Sequence, residues 1–153
     1  MTTISRRSSV FPTGTALMMS ESAMDARELI QRYYTMWNEK DFGQADVLLD
    51  PDVRFRGSLG IAANGLEGFK DYADMLIKAF PNLYHAVEII VVENDRAATY
   101  VTYTGKHEGE IVGYQPSGNR FCYSGASFFQ FRNGKIASIN VLGDLNALHA
   151  QLS

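Results

Sequence analysis

The chain has 153 residues, 46% of them hydrophobic and 20% charged, which suits one globular domain and argues against a second. Acidic and basic residues are interspersed with a formal net charge of -3, so no row of cations is present to neutralise nucleic-acid phosphates, and a nucleic-acid partner is not expected. The single cysteine, Cys122, excludes an internal disulfide, and His85, His107 and His149 stand at no metal-ligand spacing, so no structural metal is expected.

Ser5-Arg6-Arg7-Ser8-Ser9-Val10 superficially matches a twin-arginine export signal. The apolar stretch that should follow is interrupted by Pro12, Thr13, Gly14 and Thr15, so residues 1–21 read as a disordered leader and residues 22–153 as one domain. No run is long enough to span a membrane, and a cytoplasmic location is expected.

Ser22 is a candidate N-cap for a first amphipathic helix reaching to about Glu39, since Ala26, Leu29, Ile30, Tyr33 and Trp37 form one helical stripe. Asp41-Phe42-Gly43 breaks it. Ala45, Leu48 and Leu49 predict a short second helix that ends before Pro51. Val53-Arg54-Phe55-Arg56 alternates as a half-buried strand does. After the Asn64-Gly65 turn, Phe69, Tyr72, Ala73, Leu76 and Phe80 carry a third helical stripe closed by Pro81.

From Leu83 the period changes to two, and the segments become rich in Val, Ile, Thr, Tyr and Phe. Asn94-Asp95 and Asn133-Gly134 are tight turns, so four consecutive strands should form an antiparallel meander. Asp144 then opens a short helix bearing Leu145, Leu148 and Leu152. Helices followed by a long curled sheet predict an α+β architecture.

The register after Asn133-Gly134 decides which residues share a face. A three-residue loop with Gly134 left-handed places Gly125, Ser127, Phe129 and Phe131 beside Ala137, Ile139 and Val141, a coherent apolar face, and this loop is expected. The opposite face then carries Cys122, Ala126, Phe128, Ile136 and Leu142. With every helix assigned to the concave side, a second copy of the sheet is the expected cover, giving a homodimer.

Trp37-Asn38, Gly65-x-x-Gly68, Phe80-Pro81-Asn82, Gly105-x-His107-x-Gly109, Gly113-x-x-Pro116-Ser117-Gly118 and Asn133-Gly134-Lys135-Ile136 occur in an order that resembles the SnoaL-like polyketide cyclases over roughly residues 24 to 152. The resemblance implies a nuclear transport factor 2-like cone, a curved antiparallel sheet with helices covering its concave face around a deep pocket. It implies an Asp general base on the last strand for aldol closure, with an Asn on the first strand and a Gln and a His on the penultimate one. Laid on that pattern without gaps, those positions hold Val141, Phe55, Gly125 and Ser127. A valine takes no proton, so the family's aldol mechanism does not carry over. Gly125 leaves a gap that could admit ligand.

His107 is expected beside the pocket mouth, where its ordinary pKa of about 6.5 suits proton transfer, or else as the tie of the following loop. Asp144 is the second catalytic candidate, or else the cap of the last helix. Tyr33, Trp37 and Tyr103 read as core or as walls for a planar ligand, beside Phe55, Gly125, Ser127 and Val141. The expected function is cofactor-independent proton transfer (cyclisation, isomerisation or hydrolysis) on an apolar polyketide- or terpenoid-like metabolite. The alternative is a non-catalytic binder of a hydrophobic ligand.

Overall fold

The computed structural model describes residues 24–153, so the expected leader and the Ser22 cap lie outside the described residues. Helix α1, Ala26–Glu39, is capped by Asp25, whose carboxylate accepts the Glu28 N–H at 2.8 Å. It ends where Lys40 turns left-handed at φ 57° and the Asp41 N–H bonds back to Met36 O. A 3-10 turn, Phe42–Gln44, leads into the four-residue α2, Ala45–Leu48. Strands β1, Leu49–Arg56, and β2, Ala62–Asn64, follow. Then come α3, Gly65–Ala79, strands β3, Tyr84–Glu93, β4, Arg96–Lys106, β5, Arg120–Arg132, and β6, Lys135–Gly143, and lastly α4, Leu145–Leu152.

The six strands lie in the order β2-β1-β6-β5-β4-β3. The meander β3 to β6 is antiparallel as read from the turns, and β1 adds to β6 in parallel, which makes the sheet mixed. On the concave face α1 packs against β3 and α3 against β1 and β2. Phe69 is fully buried between them, with ring centroids 5.1 Å from Phe55, 5.7 Å from Trp37 and 6.2 Å from Tyr33. Helix α4 closes the edge of β5 beyond the end of β6, where the Gln151 amide accepts from Cys122 N–H and donates to its carbonyl. Among the described residues, no helix is long and apolar enough to cross a membrane.

Two bulges in the meander β3 to β6 correct the expected register. Asn133 and Gly134, at φ 54° and 75°, form a two-residue turn between Arg132 and Lys135, not the expected three-residue loop. Phe131 then faces Ile136, after which Ala137 is the extra residue and Gln130 faces Ser138. That bulge restores the apolar pairing of Phe129 with Ile139 and Ser127 with Val141. It also turns Ile136 into the core, fully buried, so Ile136 does not belong to the outer face. The second bulge lies at Glu88 in β3. Ile89 pairs with Tyr100 but Val87 with Val101, so the parity of β3 reverses between its two halves.

Candidate active site

A cavity lies between α1, α3 and the concave sheet. Tyr33, Tyr34 and Trp37 line it from α1, and Tyr72 and Leu76 from α3. The sheet contributes Phe55, His85, Tyr103, Tyr123, Ser127 and Val141, and Ser58 and Leu83 complete the lining. Six of the seven expected wall residues are therefore brought together: Tyr33, Trp37, Phe55, Tyr103, Ser127 and Val141. Gly125 is not among them. A side chain there would meet Tyr103 Cε2 at 2.7 Å and Leu142 O at 2.8 Å, so the expected gap is filled by the Tyr103 ring. The volume is ≈ 20 Å³, roughly the room of one water molecule, for which about 10–15 Å³ suffices. In place of the expected deep pocket there is a narrow aromatic slot, and anything larger enters only when rings move.

The slot is apolar in its walls and polar at chosen points. Tyr34 Oη and Thr99 Oγ1 share a hydrogen bond of 2.7 Å, and Ser58 Oγ and Tyr123 Oη one of 3.1 Å. Tyr103 and Tyr123 stack at 4.8 Å. Burial raises the pKa of Tyr33, Tyr34, Tyr72 and Tyr103 and pushes Tyr123 up to about 12, so all five remain phenols able to donate a hydrogen bond. Trp37 Nε1 and His85 Nδ1 are buried without a hydrogen-bond partner. Burial, helped by the nearby Lys40 ammonium, lowers the His85 pKa to about 3 and keeps its imidazole neutral. Among the described residues, no carboxylate lines the cavity, and no cluster of three or more His, Cys, Asp or Glu could hold a metal ion.

His107 and Asp144 sit elsewhere. His107 is fully buried below the 107–119 loop, with Nδ1 2.9 Å from Ser117 Oγ and accepting the Ser117 N–H at 3.2 Å. Its main chain bonds Asn119 O and Gly118 N. Its ring lies 5.9 Å from Phe80, Phe80 4.5 Å from Phe121, and Phe121 6.0 Å from Tyr123, so two rings stand between His107 and the cavity wall. Asp144 is exposed and caps α4, accepting the Ala147 N–H at 3.1 Å. The histidine that does reach the cavity, His85, was missed because strict alternation from the Asn94-Asp95 turn points it outward. The bulge at Glu88 reverses that.

With this geometry in hand, the sequence profile of the SnoaL-like polyketide cyclase family matches residues 27–152. The chain belongs to that family. TsrD from Streptomyces laurentii is 27% identical with a TM-score of 0.77, covering 85% of this chain and 98% of its own. A SnoaL-like protein of Jannaschia sp. CCS1 is 25% identical, TM-score 0.74, over 82% of this chain and 90% of its own. A SnoaL-like polyketide cyclase from Agrobacterium tumefaciens, 21% identical with a TM-score of 0.73, covers 85% of this chain and 99% of its own and shows the shared fold. No curated protein matches by sequence. Phe55, Ser127 and Val141, three of the four positions at which the resemblance implies the family's polar residues, line the cavity together, without a titrating group among them.

Proposed function

We propose that the chain is a cofactor-independent enzyme that moves a proton on a small carbonyl-bearing metabolite of polyketide or terpenoid type, with His85 as the acid–base group. The observation that carries this reading is a neutral imidazole, its Nδ1 buried without a partner, on a side chain that lines the cavity together with five phenols. The His85 imidazole takes a proton from a carbon next to the carbonyl. The phenols of Tyr103, Tyr34 or Tyr72 donate to the oxygen as it gains negative charge. A pKa of about 3 makes His85 a weak base in the unliganded protein. The developing enolate beside it raises that pKa, so basicity appears as the reaction needs it. Aldol-type cyclisation and double-bond isomerisation contain such a step, and in a hydrolysis the same imidazole would take the proton from the attacking water instead.

Replacing His85 by Gln tests it. 1-Phenylbutane-1,3-dione is a suitable enolisable probe, its exchange of the central protons for deuterium followed by NMR. The wild type should accelerate exchange and His85→Gln should lose about 10²-fold or more. Quenching of Trp37, the only tryptophan in the chain, should report unchanged binding. The second reading, a hydrophobic-ligand binder without chemistry, is favoured by the lack of any lining carboxylate. It predicts quenching by the probe with no acceleration in either protein. A cytoplasmic homodimer, paired through the outer sheet face, completes the proposal.

A further inference from the structure

We propose that the turn Trp37–Lys40, at the C-terminal end of α1, is the device that sets His85 in the cavity, with Asn38 as its positioning residue. This deepens the reading of His85 as the acid–base group and rests on it. Among the described residues β3 is the last strand of the sheet, with no strand neighbour on its outer edge to fix it. At His85 the Asn38 side chain takes that role: Oδ1 accepts the His85 N–H at 2.7 Å, and Nδ2 donates to the His85 carbonyl at 3.0 Å. These are the two bonds that an antiparallel neighbour exchanges with one residue. Only a side chain that both donates and accepts can make them, which gives a physical reason for Asn after Trp in the Trp37-Asn38 motif.

The residues on either side complete the grip. The Trp37 ring stands 5.1 Å from the imidazole, Tyr103 from β4 5.0 Å and Tyr34 5.6 Å, so three aromatic rings pack against it. The left-handed Lys40 sends Nζ to Leu83 O at 2.7 Å and Asn38 O at 3.3 Å, tying the chain two residues before His85 to the same turn. The bulge at Glu88 immediately follows this clipped stretch, so the clip holds β3 in the phase that points His85 inward. The groups facing His85 are Tyr34 and Lys40 from the α1 end, Tyr103 from β4, and, in the groove between α1 and β3, Arg27 and Glu88. Glu88 is engaged by the Thr102 hydroxyl at 3.0 Å. Among the described residues no carboxylate hydrogen bonds to the imidazole, and the turn adds an ammonium nearby.

The test is a 1H–15N NMR titration of the full chain labelled at its three histidines, which needs no substrate. In the wild type His85 should show one neutral tautomer with no titration above about pH 4. Asn38→Ala should mix its tautomers and raise its midpoint by about one pH unit or more, leaving His107 and His149 unchanged. Lys40→Met removes the ammonium together with its tie to Leu83 but leaves both Asn38 bonds, so it should raise the midpoint and keep a single tautomer. Should Asn38→Ala not fold, Asn38→Ser decides, since it adds no charge and its short hydroxyl cannot span both the His85 N–H and the His85 carbonyl. Folded variants that retain the wild-type His85 signal overturn the proposal. Failure of both variants to fold overturns it too, because the clip would then serve the fold and not the site. Loss of the proposed chemistry is read separately, by exchange with His85→Gln, so either idea can fail alone.

Discussion

At the scale of single residues, the site depends on what burial does to titrating groups. His85 has a pKa of about 3 in the folded chain against its ordinary 6.5. Between those values the unfolded chain binds a proton that the folded chain refuses, so stability is full above about pH 6.5 and declines as the pH falls toward 3. The slope reaches about 1.4 kcal/mol per pH unit. Urea unfolding at pH 7, 5 and 4 should show this loss, and His85→Gln should flatten it. An equal slope in that variant would move the effect to other groups. His107 makes the opposite case: its imidazole accepts a main-chain N–H from the loop it carries. His107→Ala should cost about 1–3 kcal/mol in stability, leaving Trp37 quenching by the probe intact. A selective loss of exchange activity with stability kept would restore the expectation of a catalytic His107.

At the scale of elements, most of what positions the cavity was legible. Helical stripes found α1 and α3, and through them Tyr33, Trp37 and Tyr72. Alternation found the inward row Tyr103, Ser127 and Val141. What period two could not show is a bulge, because one extra residue leaves the composition of a strand unchanged and reverses its parity. Both errors of placement, His85 left outside the pocket and Ile136 assigned to the outer face, come from the bulges at Glu88 and Ala137. Gly125 failed for another reason: an aligned glycine marks missing volume, and only packing shows that the Tyr103 ring fills it. Two other glycines separate conformation from space. Gly134 has φ 75° with nothing within 4 Å of where an added methyl group would stand, so Gly134→Ala should cost only about 1–2 kcal/mol. Gly109 would press a methyl against Lys78 O at 2.6 Å and Ala79 Cα at 2.9 Å, both main chain. Gly109→Ala should therefore cost more than Gly134→Ala by thermal melting, and the reverse order would mean that the 107–119 loop yields freely.

At the scale of the whole molecule, the outer sheet face has no helix over it among the described residues. Even with Ile136 removed from it, register places Ile89, Tyr100, Ala126 and Leu142 in one row across four strands, and Val91, Ala98 and Phe128 in the next. Ile89, Val91 and Leu142 are each more than half exposed, and Phe128 is 48% exposed. Helices α1 and α3 are committed to the concave side and α4 to the edge of β5, so none of them lies over these rows. A continuous apolar patch of this kind is what an isologous pairing buries, the same rows meeting across a two-fold axis. Sedimentation equilibrium at micromolar concentration should therefore give a dimer, and a wild-type monomer there would remove the idea. Phe128 stands between Ala98 and Asn140 in the second row, so Phe128→Glu places a charge in each half of the interface and should weaken dimerisation about 10²-fold or more. The cavity lies on the other side of the sheet, so Trp37 emission and probe quenching should stay at wild-type values in that monomer. If quenching falls together with dimerisation, the two faces are coupled through β5, whose Phe128 points out while Ser127 and Phe129 point in.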